Sequence, residues 1–359
     1  MRILVAWASD LSPNLGVRAL GRGSVDLLKS VWPDATFDFL DFGNKPAQVP
    51  LGHPRSLLKA RVMARGGMMD WLKQFDLLWD TRSGDSFADI YGTNRHAKMS
   101  LLHEFATEAG VTAVLAPQTI GPFQHTTARV LAKRNLRRSR LVFARDPVSA
   151  KASARLGRKV DRMATDLVFG IHQPTAPCER DVLVNVSGLL WRANDHVDLT
   201  KYRESVRSII AGLLSDGRDV TLLPHVLDSL DPDNDVPTCR ELEREFDGAV
   251  GVLVPKGLED VRDAVAGANV VIGARMHACL NALSTSTPAI AMAYSRKFEP
   301  LMKAIDWPHV ISVTEAEDPG ADVLQIIRNC HDLKSRAQIT RSRASELLAG
   351  IPQLLGGAL

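Results

Sequence analysis

This sequence predicts an α/β chain of two domains with mostly parallel sheets, and three observations lead there. Short apolar runs alternate with longer segments of helical period, as parallel strands joined by crossover helices require. The pattern stops at Gln173-Pro174-Thr175-Ala176-Pro177, a proline-containing stretch without periodicity, and then begins again. The length of 359 residues is long for one core and ample for two. Two such Rossmann-like domains are expected to face a central cleft, with chemistry gathered just beyond the carboxyl ends of the strands.

In the first domain (residues 1–172), strands are expected at Ile3–Ala8, Thr36–Leu40, Leu77–Trp79, Ala113–Ala116 and Leu141–Phe143. Helices fall near Val17–Val31, Arg55–Lys73, Arg95–Ala109, Thr127–Arg138 and Pro147–Leu156. Pro147 suits a first helical turn, and Asp146 before it suits an N-cap. In the second domain (178–320), strands are expected at Val182–Val186, Val220–Leu223, Val250–Val254, Val270–Ile272 and Ala289–Ala293. Its helices are expected at Thr200–Leu214, Pro237–Glu245, Leu258–Ala266, Arg275–Ser284 and Phe298–Ile305. A last helical segment (321–359) is long enough to pack back on the first domain.

Composition excludes several classes. A net charge of +3 is too small to indicate nucleic acid, which calls for a concentrated basic surface. Cys178, Cys239, Cys279 and Cys330 have no metal-ligand spacing and read as reduced thiols. No run approaches the roughly 20 apolar residues of a membrane span, and the short N-terminal apolar run is not a signal peptide, so a cytoplasmic protein is expected. GxGxxG after the first strand, GxxxxGK[ST], HExxH and GxSxG are all missing, which weighs against hydride transfer, P-loop chemistry, zinc proteolysis and α/β-hydrolase chemistry.

The residue types that carry chemistry cluster at strand ends. Gly273-Ala274-Arg275-Met276-His277-Ala278 is a strand-to-helix turn, where free helix amides attract an anion. Arg275 adds a two-pronged grip, and His277 in the same turn is a proton carrier whose imidazolium a bound anion would stabilise. Gln118 and Thr119 stand in a loop shaped by Pro117, Gly121 and Pro122. Arg145 follows another strand and is expected at the cleft rim as a second anion grip. His225 ends a strand; Asp228 and the run Asp231-Pro232-Asp233-Asn234-Asp235 after it lack the glycine and glutamate of a calcium loop and read mainly as a capped, solvated loop. The polar loop Trp79–Phe87 offers Arg82 to sugar hydroxyls or an acceptor phosphate, and Asp85 as an acid/base group. Asn14, Asn185 and Ser187 are similarly placed. The basic run Lys133–Arg140 reads first as a solvated helix face, and second as a peripheral contact with an anionic membrane, where each basic residue contributes about 1 kcal/mol.

Taken in order, Asn14-x-Gly16-x-x-Ala19-Leu20, Gln118–Phe123, Ala144-Arg145-Asp146, Asp166–Phe169, Asn185–Gly188 and Ile272–Ala278 resemble the polysaccharide pyruvyl transferase family, over nearly the whole chain to about residue 305. The chain departs from that pattern at Val17, often acidic, and at Asp80–Asp85, often glycine-rich; both bear on the acceptor more than the donor. The resemblance implies a GT-B-like fold, phosphoenolpyruvate as co-substrate and no cofactor or metal. It also implies a sugar acceptor (glycan, glycolipid or nucleotide-linked) carrying a pair of hydroxyls. It places phosphoenolpyruvate at Arg275 and His277, with Arg145 a further contact; Gly273, Gln118 and Thr119 join this donor set, and Asn14, Arg82, Asn185, Ser187 and His225 the acceptor set. Catalysis is expected from His277, with Asp85 a second candidate. A glycosyltransferase of the same architecture using a nucleotide sugar is the alternative, followed by a non-catalytic two-lobed carbohydrate-binding protein.

Overall fold

The computed structural model describes residues 1–41, 52–63, 67–175, 177–227 and 233–359. Ala176 and, in the acidic loop, Asp228, Asp231 and Pro232 lie outside the described residues. The chain divides into two compact units: residues 1–12, 20–171 and 346–359 form one, and 13–19 with 172–345 form the other. The expected second domain therefore also takes residues 321–345 and the short segment Pro13–Ala19, while only 346–359 of the C-terminal segment groups with the first unit.

Up to residue 171 the order is β1 (Arg2–Ala6), α1 (Leu15–Lys29), β2 (Thr36–Leu40), α2 (Pro54–Val62), α3 (Met68–Leu72), β3 (Leu77–Asp80), α4 (Thr93–Glu108), β4 (Thr112–Gln118), α5 (Thr126–Arg138), β5 (Leu141–Ala144), α6 (Pro147–Arg155) and β6 (Arg162–Met163). The six strands form one parallel sheet in the order β2-β1-β3-β4-β5-β6. Its core strands are buried throughout, which explains why β3 and β5 read as unbroken apolar runs rather than alternating ones. The single helix expected over Arg55–Lys73 is two, α2 and α3, with Gly67 at φ 63° before the second. Asp146 caps α6 through Ser149 N, with Pro147 in the first turn, as the sequence indicates.

From residue 180 come β7 (Arg180–Asn185), α7 (Gly188–Trp191), α8 (Leu199–Ser215), β8 (Val220–Leu222), α9 (Val236–Glu245), β9 (Gly251–Val252), α10 (Leu258–Ala266), β10 (Ala268–Gly273), α11 (Met276–Ser284), β11 (Ala289–Ala293), α12 (Phe298–Ala304), β12 (Val310–Ser312), α13 (Pro319–Asn329), α14 (Leu333–Ala349) and α15 (Ile351–Ala358). The second sheet is also parallel and six-stranded, in the order β12-β11-β10-β7-β8-β9. Val182, Val184, Val270, Ile272, Ile290 and Met292 from its strands pack with Tyr202, Val206, Ile209 and Leu213 of α8 into one core. Burying each such side chain contributes about 1.5–3 kcal/mol.

In both sheets the chain builds outward from its first strand on one side and then returns to build on the other. The reversal falls between β1 and β3 in the first unit and between β7 and β10 in the second. Ligands favour these switch points, because the connections leave the sheet in opposite directions there and open a crevice. In the second unit the residues facing each other at that point, in register, are Asn185 and Gly273.

Candidate functional site

The β10–α11 turn of the second unit is built on Asn185. Its side-chain oxygen accepts from Arg275 N at 2.9 Å, and its amide donates to Leu223 O at 2.9 Å. Asn185 thus ties together the ends of β7, β8 and β10 and is buried; it shapes the site and does not stand open as the expected acceptor contact. Gly273 is required for packing, since a Cβ there would sit 2.8 Å from Cys279 Sγ.

Arg275 differs most from its expected role. Its guanidinium is held by Asp235 Oδ1 at 2.6 Å and Asp233 Oδ1 at 2.7 Å, and it donates to Asp233 O at 2.6 Å. Burial works against its charge, but Asp235 and Asp233 outweigh that and raise its affinity for the proton further. An arginine matched by two carboxylates is a rivet for the loop and not an open anion grip. The solvated reading of the acidic run is likewise corrected at Asp235, which is fully buried. One Asp235 oxygen accepts from Arg275 and Gly188 N, the other from His225 N and Val226 N at 3.0 Å each. Five donors converge on one carboxylate, more than any capping role demands.

His277 follows in the first turn of α11 and is half-buried. The N-cap of that helix is Arg275, whose side chain makes no capping bond, so the positive helix end is not neutralised locally. A second helix start meets the imidazole. Gly16, in the first turn of α1, lies so close that a Cβ would be 2.7 Å from His277 Cγ and Nδ1. Asn14 sets up this approach: its side chain accepts from Gly16 N at 2.9 Å, and its carbonyl accepts from Val17 N and Arg18 N. Asn14 therefore begins α1, a local duty that the expected acceptor role did not include. Leu15 N donates to His225 O at 3.1 Å, which closes the arrangement within this unit.

His225 is 1% exposed, so it does not line an open acceptor face as expected. Burial, then His277 and Arg275, push its pKa well below the usual histidine value. Asn281, one helical turn after His277, donates to His277 O at 2.9 Å and lies 3.1 Å from His225 Nε2. With Nε2 accepting from that amide, His225 is neutral and carries its proton on Nδ1. Ser187 is buried at 0% exposure, with its backbone N–H on the Tyr202 hydroxyl at 3.0 Å and no hydrogen bond to its own Oγ among the described residues. Asn281 has no role in the sequence-based expectations, and Asp235 enters them only as part of the capped, solvated loop. The i,i+4 spacing from His277 to Asn281 was the available signal for the first.

In the first unit a second polar cluster gathers at the ends of β3, β4 and β5. Arg145, expected at a rim, is fully buried. Its Nε donates to Thr119 Oγ1 at 2.9 Å and its Nη1 to Asp166 Oδ2 at 2.6 Å, while Nη2 has no acceptor among the described residues. Gln118 donates to Asp80 O and Ala116 O at 3.0 Å each, and its side-chain oxygen is buried without a donor among the described residues. Gly84, at φ 81°, makes room here: a Cβ would lie 3.1 Å from Arg145 Nη1. One guanidinium nitrogen and one amide oxygen are thus left buried without a partner among the described residues, in a fixed frame.

Arg82, assigned to the acceptor set, is instead a core residue at 0% exposure. It pairs with Asp80 Oδ2 at 2.8 Å, donates to Asn135 Oδ1 at 2.7 Å and lies 4.6 Å over the Phe87 ring. Burial opposes the Asp80 charge, but Arg82 and His103 overcome it and hold the carboxyl below its usual range. Asp85 remains partly accessible and accepts from the Tyr91 hydroxyl at 2.8 Å. In the basic run, Arg134 and Arg138 pair with Glu104 at 2.9 and 3.0 Å, and Asn135 is buried, so its charge is partly matched internally. Among the described residues no cluster of three His, Cys, Asp or Glu could hold a metal ion. No described helix is long and apolar enough to cross a membrane.

Comparison with solved structures shows the fold. HepE from Anabaena, in complex with UDP and glucose, superposes with a TM-score of 0.60 at 14% identity over 99% of this chain and 98% of that one. A putative UDP-N-acetylglucosamine 2-epimerase from Listeria monocytogenes gives 0.63 at 11% identity over 99% and 97%. The corresponding epimerase from Neisseria meningitidis, bound to UDP-GlcNAc, gives 0.54 at 12% over 100% and 99%. The architecture is GT-B-like, and identities this low say nothing more. No curated protein matches by sequence. The polysaccharide pyruvyl transferase family does match, over residues 14–296, from the Asn14 turn through both polar clusters and past His277: the chain belongs to the polysaccharide pyruvyl transferase family.

Proposed function

We propose that the protein transfers pyruvate, as a ketal, from phosphoenolpyruvate to a pair of hydroxyls on a sugar of a cell-envelope glycan or its precursor, working in the cytoplasm. The carrying observation is His277, lodged between the first turns of α11 and α1, with its ring packed against Gly16 and its carbonyl accepting from Asn281. The positive end of α11, which has no side-chain cap, favours an anionic substrate there, and the imidazole supplies the proton that an enol ester needs.

The reaction balances with these parts. His277 protonates the methylene carbon of phosphoenolpyruvate, leaving the central carbon electrophilic. One sugar hydroxyl oxygen bonds to that carbon, the bond to the phosphate oxygen breaks, and the second hydroxyl closes the ketal. Of the two hydroxyl protons, one ends on the new methyl group through His277 and the other on the departing phosphate. Arg275 acts as a positioning residue, holding the turn through Asp233 and Asp235. In the first unit, Arg145 Nη2 and Gln118 Oε1, without a partner among the described residues, are the candidates for contact with anionic or hydroxyl groups of a substrate. Asp85, hydrogen-bonded by Tyr91, is the candidate base for an acceptor hydroxyl.

The test is incubation with phosphoenolpyruvate and a panel of sugars, following phosphate release and the mass of a pyruvyl ketal. His277→Ala should lose about 10²–10⁴-fold in rate. Because the structural relatives include proteins bound to UDP, a parallel arm uses UDP-sugars. Glycosyl transfer there, with no phosphate released from phosphoenolpyruvate, would reject this reading in favour of a glycosyltransferase.

A further inference from the structure

Outside the His277 cluster, the second unit carries a cavity of about 610 Å³ between the β11–α12 loop, α12 and the edge strand β12. That volume lies within the range of small-molecule sites, roughly 300–1,000 Å³. Its near wall starts at Ala293, the last residue of β11, and Tyr294, and β11 pairs directly with β10. Neighbouring strands lie about 4.8 Å apart, so the cavity opens one strand over from the β10–α11 turn. Tyr294 is within electrostatic reach of Arg275. A smaller cavity of about 310 Å³ adjoins it, with Thr314 lining both.

The lining selects a ligand class. Three carboxylates (Glu299, Asp306 and Glu315) face two cations (Arg296 and Lys303), a balance that disfavours a phosphate-bearing guest. The same carboxylates, with the hydroxyls of Ser295, Ser312 and Thr314, suit a neutral polyol, since each carboxylate accepts several hydroxyl protons. Ser295 Oγ is shielded from water and has no hydrogen-bond partner among the described residues. Tyr294, only partly buried, adds ring surface to the wall, suited to the C–H face of a pyranose.

We propose that this cavity is a carbohydrate subsite for the sugar next to the one that receives pyruvate, so that the acceptor is an oligosaccharide. This rests on the transferase reading for its place in the reaction, whereas the carbohydrate binding itself is measured without phosphoenolpyruvate. The experiment is saturation-transfer NMR on the full chain with lactose, maltose, cellobiose and gentiobiose, and with UDP and inorganic phosphate as anionic comparators. Magnetisation should pass to at least one disaccharide, with affinity falling about tenfold or more in Thr314→Trp, which adds bulk to the wall that both cavities share. Glu299→Gln and Ser295→Ala should weaken the same binding, and they serve if the tryptophan variant does not fold. Phosphate release with a monosaccharide acceptor should stay within about twofold of the parent in Thr314→Trp, because the reacting sugar does not enter this cavity. Absence of transfer to all four disaccharides, binding of UDP or phosphate alone, or undiminished disaccharide affinity in folded variants would overturn the proposal. Failure of phosphate release with every acceptor would instead reject the transferase reading and leave the binding result in place.

Discussion

Replacing Gly16 by alanine is the sharpest probe of the His277 arrangement, because it touches the imidazole without altering any polar group. The added Cβ would lie 2.7 Å from Cγ and Nδ1 of His277 and 2.8 Å from its Cβ, where ordinary contact begins at 3.4 Å. Ring and methyl must therefore separate by about 0.7 Å, and the ring cannot simply rotate away, since its own Cβ is among the atoms struck. A displacement near 1 Å at a catalytic group costs on the order of 10²-fold in rate. Overpacking costs about 1–3 kcal/mol, and alanine's better helix propensity recovers up to ~1 kcal/mol, so Gly16→Ala should fold with modestly lowered stability. The assay is kcat for phosphate release from phosphoenolpyruvate beside a thermal melt, with Gly357→Ala as a control because a Cβ there meets nothing within 4 Å. A folded Gly16→Ala protein with parental kcat would refute the claim that Gly16 sets the position of His277.

Two further predictions concern stability. In Asp235→Asn the side-chain amide must face a donor whichever way it is turned, since both carboxylate oxygens accept hydrogen bonds. Breaking this buried pair with Arg275 should cost about 3–5 kcal/mol in urea unfolding, and a loss below about 1 kcal/mol would contradict the rivet role. His96 is buried against Phe87 and Phe123, and burial, then Arg82, lowers its pKa from 6.5 to about 4. The folded chain keeps this imidazole neutral while the unfolded chain protonates it, so its contribution is complete above pH 6.5 and is lost as pH falls towards about 4. Urea titrations at pH 7 and pH 4 should show the parent losing up to roughly 3 kcal/mol more than His96→Leu; an equal loss in both would refute the assignment.

Most of the fold was legible because parallel strands buried on both faces leave continuous apolar runs, as at Ala289–Ala293, which matches the expected bounds; the edge strand Thr36–Leu40 matches too, although it is only partly buried. The edge strands β6 and β12, two and three residues long, were not, because so short a run carries no period to read. The break between α2 and α3 was missed for a related reason, as the apolar spacing on either side continues one helical pattern. In the site, the Gly273–His277 turn and the Asn14-x-Gly16 turn could be read locally, since strand exits and helix starts have residue signatures.

By itself, then, the sequence determined two parallel α/β units, the Asp146–Pro147 helix start, and the turn that carries His277. Tertiary structure alone decided what the charged residues of those turns do. Arg275 meets carboxylates 40 and 42 residues away in the chain, Arg82 meets Asn135, and Arg145 meets Asp166. The reason is physical. A guanidinium announces its charge in the sequence, but whether that charge is matched depends on which distant carboxylates the fold buries beside it, and burial makes the match obligatory. Gly16 and His277 show the same thing for shape: the glycine is visible in the chain, and the ring it makes room for appears only when α1 and α11 come together.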